Sequence, residues 1–406
     1  MFLQFALYGF LKNLRFFDPF IILFFRDGGL SFLQIGSLYS IRDLVTNLFE
    51  IPTGIFADAF GRRLSMVVAF LSYICSFVIF YSVSSFTLYA VAMIFFAFGE
   101  AFRSGTHKAL ILEHLKLNQM DHLKVAYYGR TRSASQLGSA VNSLIAAALV
   151  FYTGNYKTMF LASTVPYLLD LLNLMTYPRA LDGDLVRPRD LDAVFSQSKA
   201  TLKVFLTIFV DRDATRAILN SAGFTAFFKA TKDYLQPILN TFALSLPLFV
   251  ALGDTKRSAV IVGVVYFGIY LLTSYASRSA AQFSGRFASV PRAVNLTYLG
   301  GAASLFLAGV ASWRNLTVLS ILVFLGLYIL QNLRKPMNVA VISDQISNQV
   351  MASGLSVESQ FTTIFTVIMS PVLGALADHF GVGAALLVFG AGMVLTSLLT
   401  NVKEKV

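Results

Sequence analysis

Apolar runs of about 20 residues recur along the whole chain with only short polar turns between them, and this constrains the fold more than any other feature. They are expected at 2–25, 31–56, 64–82, 86–105, 126–152, 158–177, 216–240, 257–277, 291–311, 315–334, 354–375 and 382–402. A helix rises about 1.5 Å per residue, so each run spans the roughly 30 Å hydrocarbon core of a bilayer. The expected fold is an all-α membrane protein with twelve transmembrane helices, here termed spans 1 to 12. With 56% hydrophobic and 13% charged residues, the chain lies far from the roughly 25% charge of soluble domains.

Lys12, Arg15 and Asp18 interrupt the first run, and no small-residue cleavage site follows it, so it reads as a retained helix and not as a signal sequence. The single cysteine, Cys75, excludes an internal disulfide and any C-x-x-C metal or redox site. The net charge of +11 does not point to nucleic acid, because the basic residues are scattered over short loops. If the N-terminus is cytoplasmic, the inner loops and C-terminus hold 22 Lys and Arg against five in the outer loops: Arg26, Lys157, Lys256, Arg257 and Arg314. That asymmetry predicts both termini inside. Compactness and the absence of any targeting segment lead to the expectation of a bacterial inner membrane.

Between spans 2 and 3 runs Gly54-Ile55-Phe56-Ala57-Asp58-Ala59-Phe60-Gly61-Arg62-Arg63. The glycines permit close passage and a sharp turn, Asp58 can cap a helix N-terminus, and Arg62 and Arg63 hold the turn inside. This pattern, G-x-x-x-D-x-x-G-R-R after the second span, resembles the loop signature of the major facilitator superfamily, the twelve-helix secondary transporters. Gly99-Glu100-Ala101-Phe102-Arg103-Ser104-Gly105 is similar to the small-residue segment that ends helix 4 in that family. Close packing is its expected role, with Arg103 facing a gate as the alternative.

The second half echoes the first in order. Phe10-Leu11-Lys12-Asn13-Leu14-Arg15 matches Phe227-Phe228-Lys229-Ala230-Thr231-Lys232, each followed by a proline, Pro19 and Pro237. Gly36 to Tyr39 matches Gly263 to Tyr266, Arg103 to Glu113 matches Arg334 to Asp344, and Ser135-Gln136 matches Ser359-Gln360. These matches fit the two parallel six-helix repeats that the resemblance implies. The expected domains are residues 1–177, a linker at 178–215 with a surface helix near 191–210, and residues 216–406. The equivalent turn after span 8 lacks the aspartate, and Gly374 to Gly381, a lookalike at the outer end of span 11, reads as a helix-ending turn.

Charged groups in mid-span are functional candidates because each costs roughly 2.5 to 3.5 kcal/mol to insert. Lys12 lies about 15 Å into span 1, with Arg15 and then Asp18 each one turn on along the same face of a continuous helix. Span 7 repeats the plan with Lys229, Lys232, Asp233 and Gln236, and span 2 carries Arg42, Asp43 and, nearer its inner end, Glu50. Basic residues on spans 1 and 7 are found in family members that carry organic phosphates. Lys12, Arg15, Arg42, Lys229, Lys232 and Gln236 are therefore the expected substrate site for an anion, unless Asp18, Asp43, Glu50 and Asp233 neutralise them. The same four acids are the expected proton carriers, with Asp170, Glu100 and Glu358 as further candidates. His107, His114, His122 and His379 read as surface residues, and no metal site is expected.

No P-loop, G-x-S-x-G or H-E-x-x-H motif occurs, which argues against an ATP-driven pump or a membrane hydrolase. The expectation is a monomeric secondary transporter working by alternating access, without enzymatic chemistry or cofactor, on a small solute with a proton or counter-substrate as partner. Proton-coupled efflux of drugs or amphiphiles is the first alternative; Gln136 to Val141 lacks the glycine-proline motif typical of family antiporters in helix 5. A non-transporting sensor or assembly partner with the same fold is the alternative from another class.

Overall fold

The computed structural model describes residues 1–183, 185, 212–247, 250–345 and 351–403. The helices are α1 Phe2–Leu11, α2 Ile21–Asp27, α3 Phe32–Phe60, α4 Arg62–Ser82, α5 Phe86–Arg103, α6 Thr106–Leu117, α7 Lys124–Thr153 and α8 Thr158–Met175. They continue as α9 Arg212–Thr231, α10 Leu235–Ser245, α11 Asp254–Ser284, α12 Val290–Trp313, α13 Thr317–Gln345 and α14 Met351–Leu399. Among the described residues no strand occurs, and the surface helix expected near 191–210 lies outside them.

Among the described residues, eight stretches are long and apolar enough to cross a membrane, and the longest, Ser356–Leu399, breaks into two spans at Gly381, whose φ of 82° ends one helix and starts the next. The remaining three crossings are α1 with α2, α3, and α9 with α10; α1, α2 and α10 are each shorter than 18 residues, while α3 and α9 carry several charged residues. Twelve crossings result, as the apolar runs require.

Spans 1 and 7 are not continuous helices. The first stops at Leu11 and resumes through a 3-10 turn at Asp18–Phe20; the second is interrupted by a 3-10 turn at Lys232–Tyr234. Both breaks precede a proline, Pro19 or Pro237, which has no N–H and crowds the carbonyl four residues back. Carbonyls freed at such a break need partners where water is absent. Tyr167 donates to the Lys12 carbonyl (3.0 Å), Asn142 Nδ2 to the Arg15 carbonyl (3.0 Å), and Tyr328 to the Lys232 carbonyl (2.7 Å). The expectation that Lys12, Arg15 and Asp18 stack on one helical face is therefore corrected.

The chain divides into two compact units that do not follow chain order. One holds Met1–Gly29, Ile41–Leu191 and Leu248–Tyr270; the other holds Leu30–Ser40, Asp192–Pro247 and Leu271–Val406. Residues 30–40 join the second unit because α3 begins there backbone to backbone with α14: a Cβ on Gly36 would strike Ser370 and Pro371, and one on Gly374 would strike Phe32 and Leu33. Ser40 Oγ donates to the Val367 carbonyl at 2.6 Å. In the first unit, a Cβ on Gly263 of α11 would strike the Ala147 side chain of α7 and crowd the Ser143 carbonyl.

Candidate functional site

Burying a charge among apolar helices requires a partner of opposite sign, and in the first unit this rule joins residues from four crossings. Arg15, on the non-helical joint of span 1, places Nη2 2.5 Å from Glu100 Oε1 and donates through Nε to the Tyr167 hydroxyl at 2.6 Å. Arg103 places Nη2 2.6 Å from Glu100 Oε2 and donates through Nε to Tyr73 at 2.9 Å, and Tyr73 in turn donates to Glu100 Oε1 at 2.6 Å. The Arg15 guanidinium lies over the rings of Tyr73 and Phe96. One carboxylate thus serves two guanidinium groups, so the cluster is net positive before Lys12 is added. Glu100 and Arg103 build this centre in addition to ending helix α5 against its neighbours. Tyr73 and Tyr167 escaped the sequence reading because a tyrosine in an apolar run carries no pattern that separates hydrogen-bonding from packing.

Lys12 stands apart from that cluster. Its ammonium lies over the Tyr8 ring at 5.7 Å and makes no ion pair with a described residue. Tyr8 stacks on His107, with ring centroids 3.6 Å apart, and His107 is half-buried among Phe5 and Tyr177, contrary to the expected surface role. His107 was misjudged because the polar residues around it read as a loop, whereas they open helix α6. Among the described residues no cluster of ligating side chains could hold a metal ion.

Three of the other expected cations have acids beside them. Arg42 Nε is 2.7 Å from Asp43 Oδ1, and in the second unit Lys232 Nζ is 2.6 Å from Asp233 Oδ1. Arg62 Nη1 is 3.3 Å from Glu113. Asp18 is half-buried near Arg15, while Glu50 is exposed and accepts a hydrogen bond from Ser104 at 2.8 Å. Gln236 is fully buried on α10. Lys229 is exposed, and the carboxylate it acts on is Glu358, which accepts from Ser221 Oγ at 2.9 Å. The repeat partner of Arg103, Arg334, is wholly buried and has, among the described residues, only neutral acceptors: Asn220 Oδ1 at 2.7 Å, Thr297 Oγ1 at 3.1 Å and the Val294 carbonyl, with the Phe224 ring 4.3 Å away.

At the Gly54 to Arg63 turn the glycines differ from expectation. Gly61 has φ 103° and makes the whole turn, since α3 ends at Phe60 and α4 starts at Arg62. Gly54 is interior to α3, and beyond its own turn of helix no described atom lies within 4 Å of where its Cβ would stand. Arg63 donates its backbone N–H to Asp182 Oδ1 (2.7 Å) and its Nη1 to the Tyr177 carbonyl (2.6 Å), so the chain after α8 folds over the start of α4. Asp182 caps α4, a role signalled only by Pro178 and Gly183 around it. Asp58 is exposed without a hydrogen-bond partner among the described residues.

Comparison with known proteins bears on the whole arrangement. Residues 1–357 match the family model described as Major Facilitator Superfamily. A curated relative, the uncharacterized MFS-type transporter YxaM of Bacillus subtilis (strain 168), is 31% identical over 90 residues, which is 22% of this chain and 23% of that protein. The fold is similar to that of the nucleoside transporter NupG (TM-score 0.71, 14% identity, 100% of this chain and 97% of that one). A peptide transporter POT in complex with sulfate has TM-score 0.73 at 13% identity over 98% and 93%. A D-xylose-proton symporter has TM-score 0.69 at 17% identity over 98% and 95%.

Proposed function

Since this chain belongs to the Major Facilitator Superfamily, we propose that it is a secondary transporter of a small organic anion, whose charged group engages Lys12, with Lys229 as the counterpart of Lys12 in the repeat. One observation carries the anion reading. Arg15, Arg42, Arg103 and Lys232 each have a carboxylate within ion-pair distance, whereas Lys12 has none among the described residues. An ammonium at that depth costs free energy unless a partner neutralises it, and a substrate carboxylate or phosphate would do so. The sulfate held by the peptide transporter complex is consistent with anion binding on this fold.

Alternating access then needs no covalent step, only reversible contacts that form in one conformation and break in the other. Asp58, Gly61, Arg62 and Arg63 with Gly54 form the proposed gate of the basic side, and Arg42 and Gln236 are proposed further contacts. The protein sits as a monomer in a bacterial inner membrane, with both termini cytoplasmic and two six-span bundles at 1–177 and 216–406. Efflux of amphiphiles is less well supported. Phe17, Phe24, Phe70 and Phe77, which could have lined a greasy cavity, are each at most 2% exposed and are spent on helix packing.

The test is uptake and counterflow in proteoliposomes with a panel of organic anions and lipophilic cations, with and without a pH gradient. Uptake of an anion that falls at least tenfold in Lys12→Ala plus Lys229→Ala supports the reading. Transport of every solute unchanged in that double variant overturns it, and uptake confined to lipophilic cations favours efflux.

A further inference from the structure

Asp170 lies on α8 about 18 Å from the helix start and is 0% exposed. Its Oδ1 accepts one hydrogen bond, from Asn173 Nδ2 at 3.2 Å, and that same amide is shared with the Gln4 carbonyl at 3.1 Å. Its Oδ2 is buried and accepts nothing from any described residue. A carboxylate has about four lone-pair sites, so most of its acceptor capacity is unmet in an apolar interior. Such a group does not persist as a lone anion; it takes either a cation or a proton.

The groups that act on it come from the elements packed around α8. α1 and the joint after it supply Tyr8 and Lys12, and the chain beyond α8 supplies Tyr177. Both phenols are buried and neutral donors at most. Among the described residues α4 and α7 bring no charge that acts on Asp170: Tyr73 of α4 is engaged with Glu100 and Arg103. His107 interacts with Lys12 and Arg103. Arg15 and Arg103 are both committed to Glu100, so Lys12 is the cation that serves Asp170, and it does so without a direct ion pair. It is carried by the non-helical joint of span 1, where the backbone is held by side chains of neighbouring helices instead of by a helical ladder.

We propose that Asp170 is a proton-binding site of this transporter, with Lys12 and a proton as alternative partners of its carboxylate. When Lys12 turns to an anion, a proton from water bonds to Asp170 and keeps it neutral. When the anion leaves, the O–H bond breaks, the proton returns to water, and Lys12 neutralises the carboxylate again. Proton and anion then bind together, one for one. The anion half rests on the function proposed above, whereas proton binding at Asp170 is a property of the protein alone and is tested alone.

The experiment is infrared difference spectroscopy of the purified full-length chain across a pH titration. Beside the bands of its solvated carboxyls, the wild type should show one protonated-carboxyl C=O band at the frequency of a weakly hydrogen-bonded acid, which disappears in a single step as pH rises and shifts on labelling aspartate with carbon-13 in the side-chain carboxyl. The band should be absent from a folded Asp170→Asn and present in Asp18→Asn and Asp43→Asn. In Lys12→Gln its midpoint should move to higher pH, because the cation that favours the carboxylate is gone. Persistence of the band in Asp170→Asn, no isotope shift, or an unmoved midpoint in Lys12→Gln would overturn the proposal. The isotope arm uses the unmutated chain and stands even where Asp170→Asn does not fold. A site found here alongside uptake of cations alone would leave Asp170 in place and remove the anion.

Discussion

Asp378 accepts the backbone N–H of Phe32 through Oδ1 at 2.8 Å, and its Oδ2 takes the N–H of Leu33 at the same distance. The lookalike turn Gly374 to Gly381 thus caps the start of α3, with its carboxylate at the positive end of a helix dipole. Reading it only as a helix-ending turn missed half of its role. Gly381 ends the helix, and Asp378 closes a different one.

Loss of this cap should loosen the end of α3 far from the Arg62 turn. Removing a side-chain cap costs about 1 kcal/mol, or about a fivefold rise in the uncapped population. With Cys75→Ser as background, Ser31→Cys should react with a water-soluble maleimide about fivefold faster when Asp378 is Asn. Equal rates in the two proteins would show that the cap does not restrain α3.

Gly36 and Gly374 set how closely α3 and α14 approach. A methyl at Gly374 meets the Phe32 carbonyl and Leu33 Cα, which are backbone and cannot turn aside. Gly374→Ala should lower stability by roughly 1 to 3 kcal/mol in thermal unfolding, as overpacking does. Gly54→Ala, with open space around its Cβ, should be neutral or slightly stabilising in the same assay.

Glu100 is shared by Arg15 and Arg103, so its removal leaves two cations unneutralised. Glu100→Gln should cost about 3 kcal/mol or more, and Arg15→Ala plus Glu100→Gln should cost less than the sum of the two changes. A double-mutant cycle on the melting temperature measures this, and strict additivity would mean that the pair is not coupled.

Arg334 has no acid partner among the described residues and donates to Asn220, Thr297 and Val294. Its planar fork fits acceptors that an ammonium cannot reach together. Arg334→Lys should therefore be as damaging as Arg334→Met, or more so, because Met at least removes the buried charge. Detergent-solubilised thermostability ranks the two; a lysine variant as stable as wild type would mean that the fork is not needed.

Much of the architecture was legible along the chain because the bilayer fixes the length of each span. The breaks in spans 1 and 7 were signalled by Pro19 and Pro237, yet the charges before them were read on an ideal helix, which placed Arg15 on the wrong face. Glu100 was singled out without a partner, since Arg15 lies 85 residues away in the chain. Tyr73 and Tyr167 had no pattern of their own, and Asp182 had only Pro178 and Gly183 around it.

By itself, the sequence determined that the chain crosses a membrane twelve times and which charges must be buried, because hydropathy and insertion cost act locally. Only the tertiary structure decided how those charges pair: Arg15 with Glu100, Arg42 with Asp43, Lys232 with Asp233, and Lys12 with none of the described residues. A buried ion pair depends on which helices lie side by side. That depends on packing across tens of residues, on glycines as much as on charges, and no local rule of composition or spacing carries it.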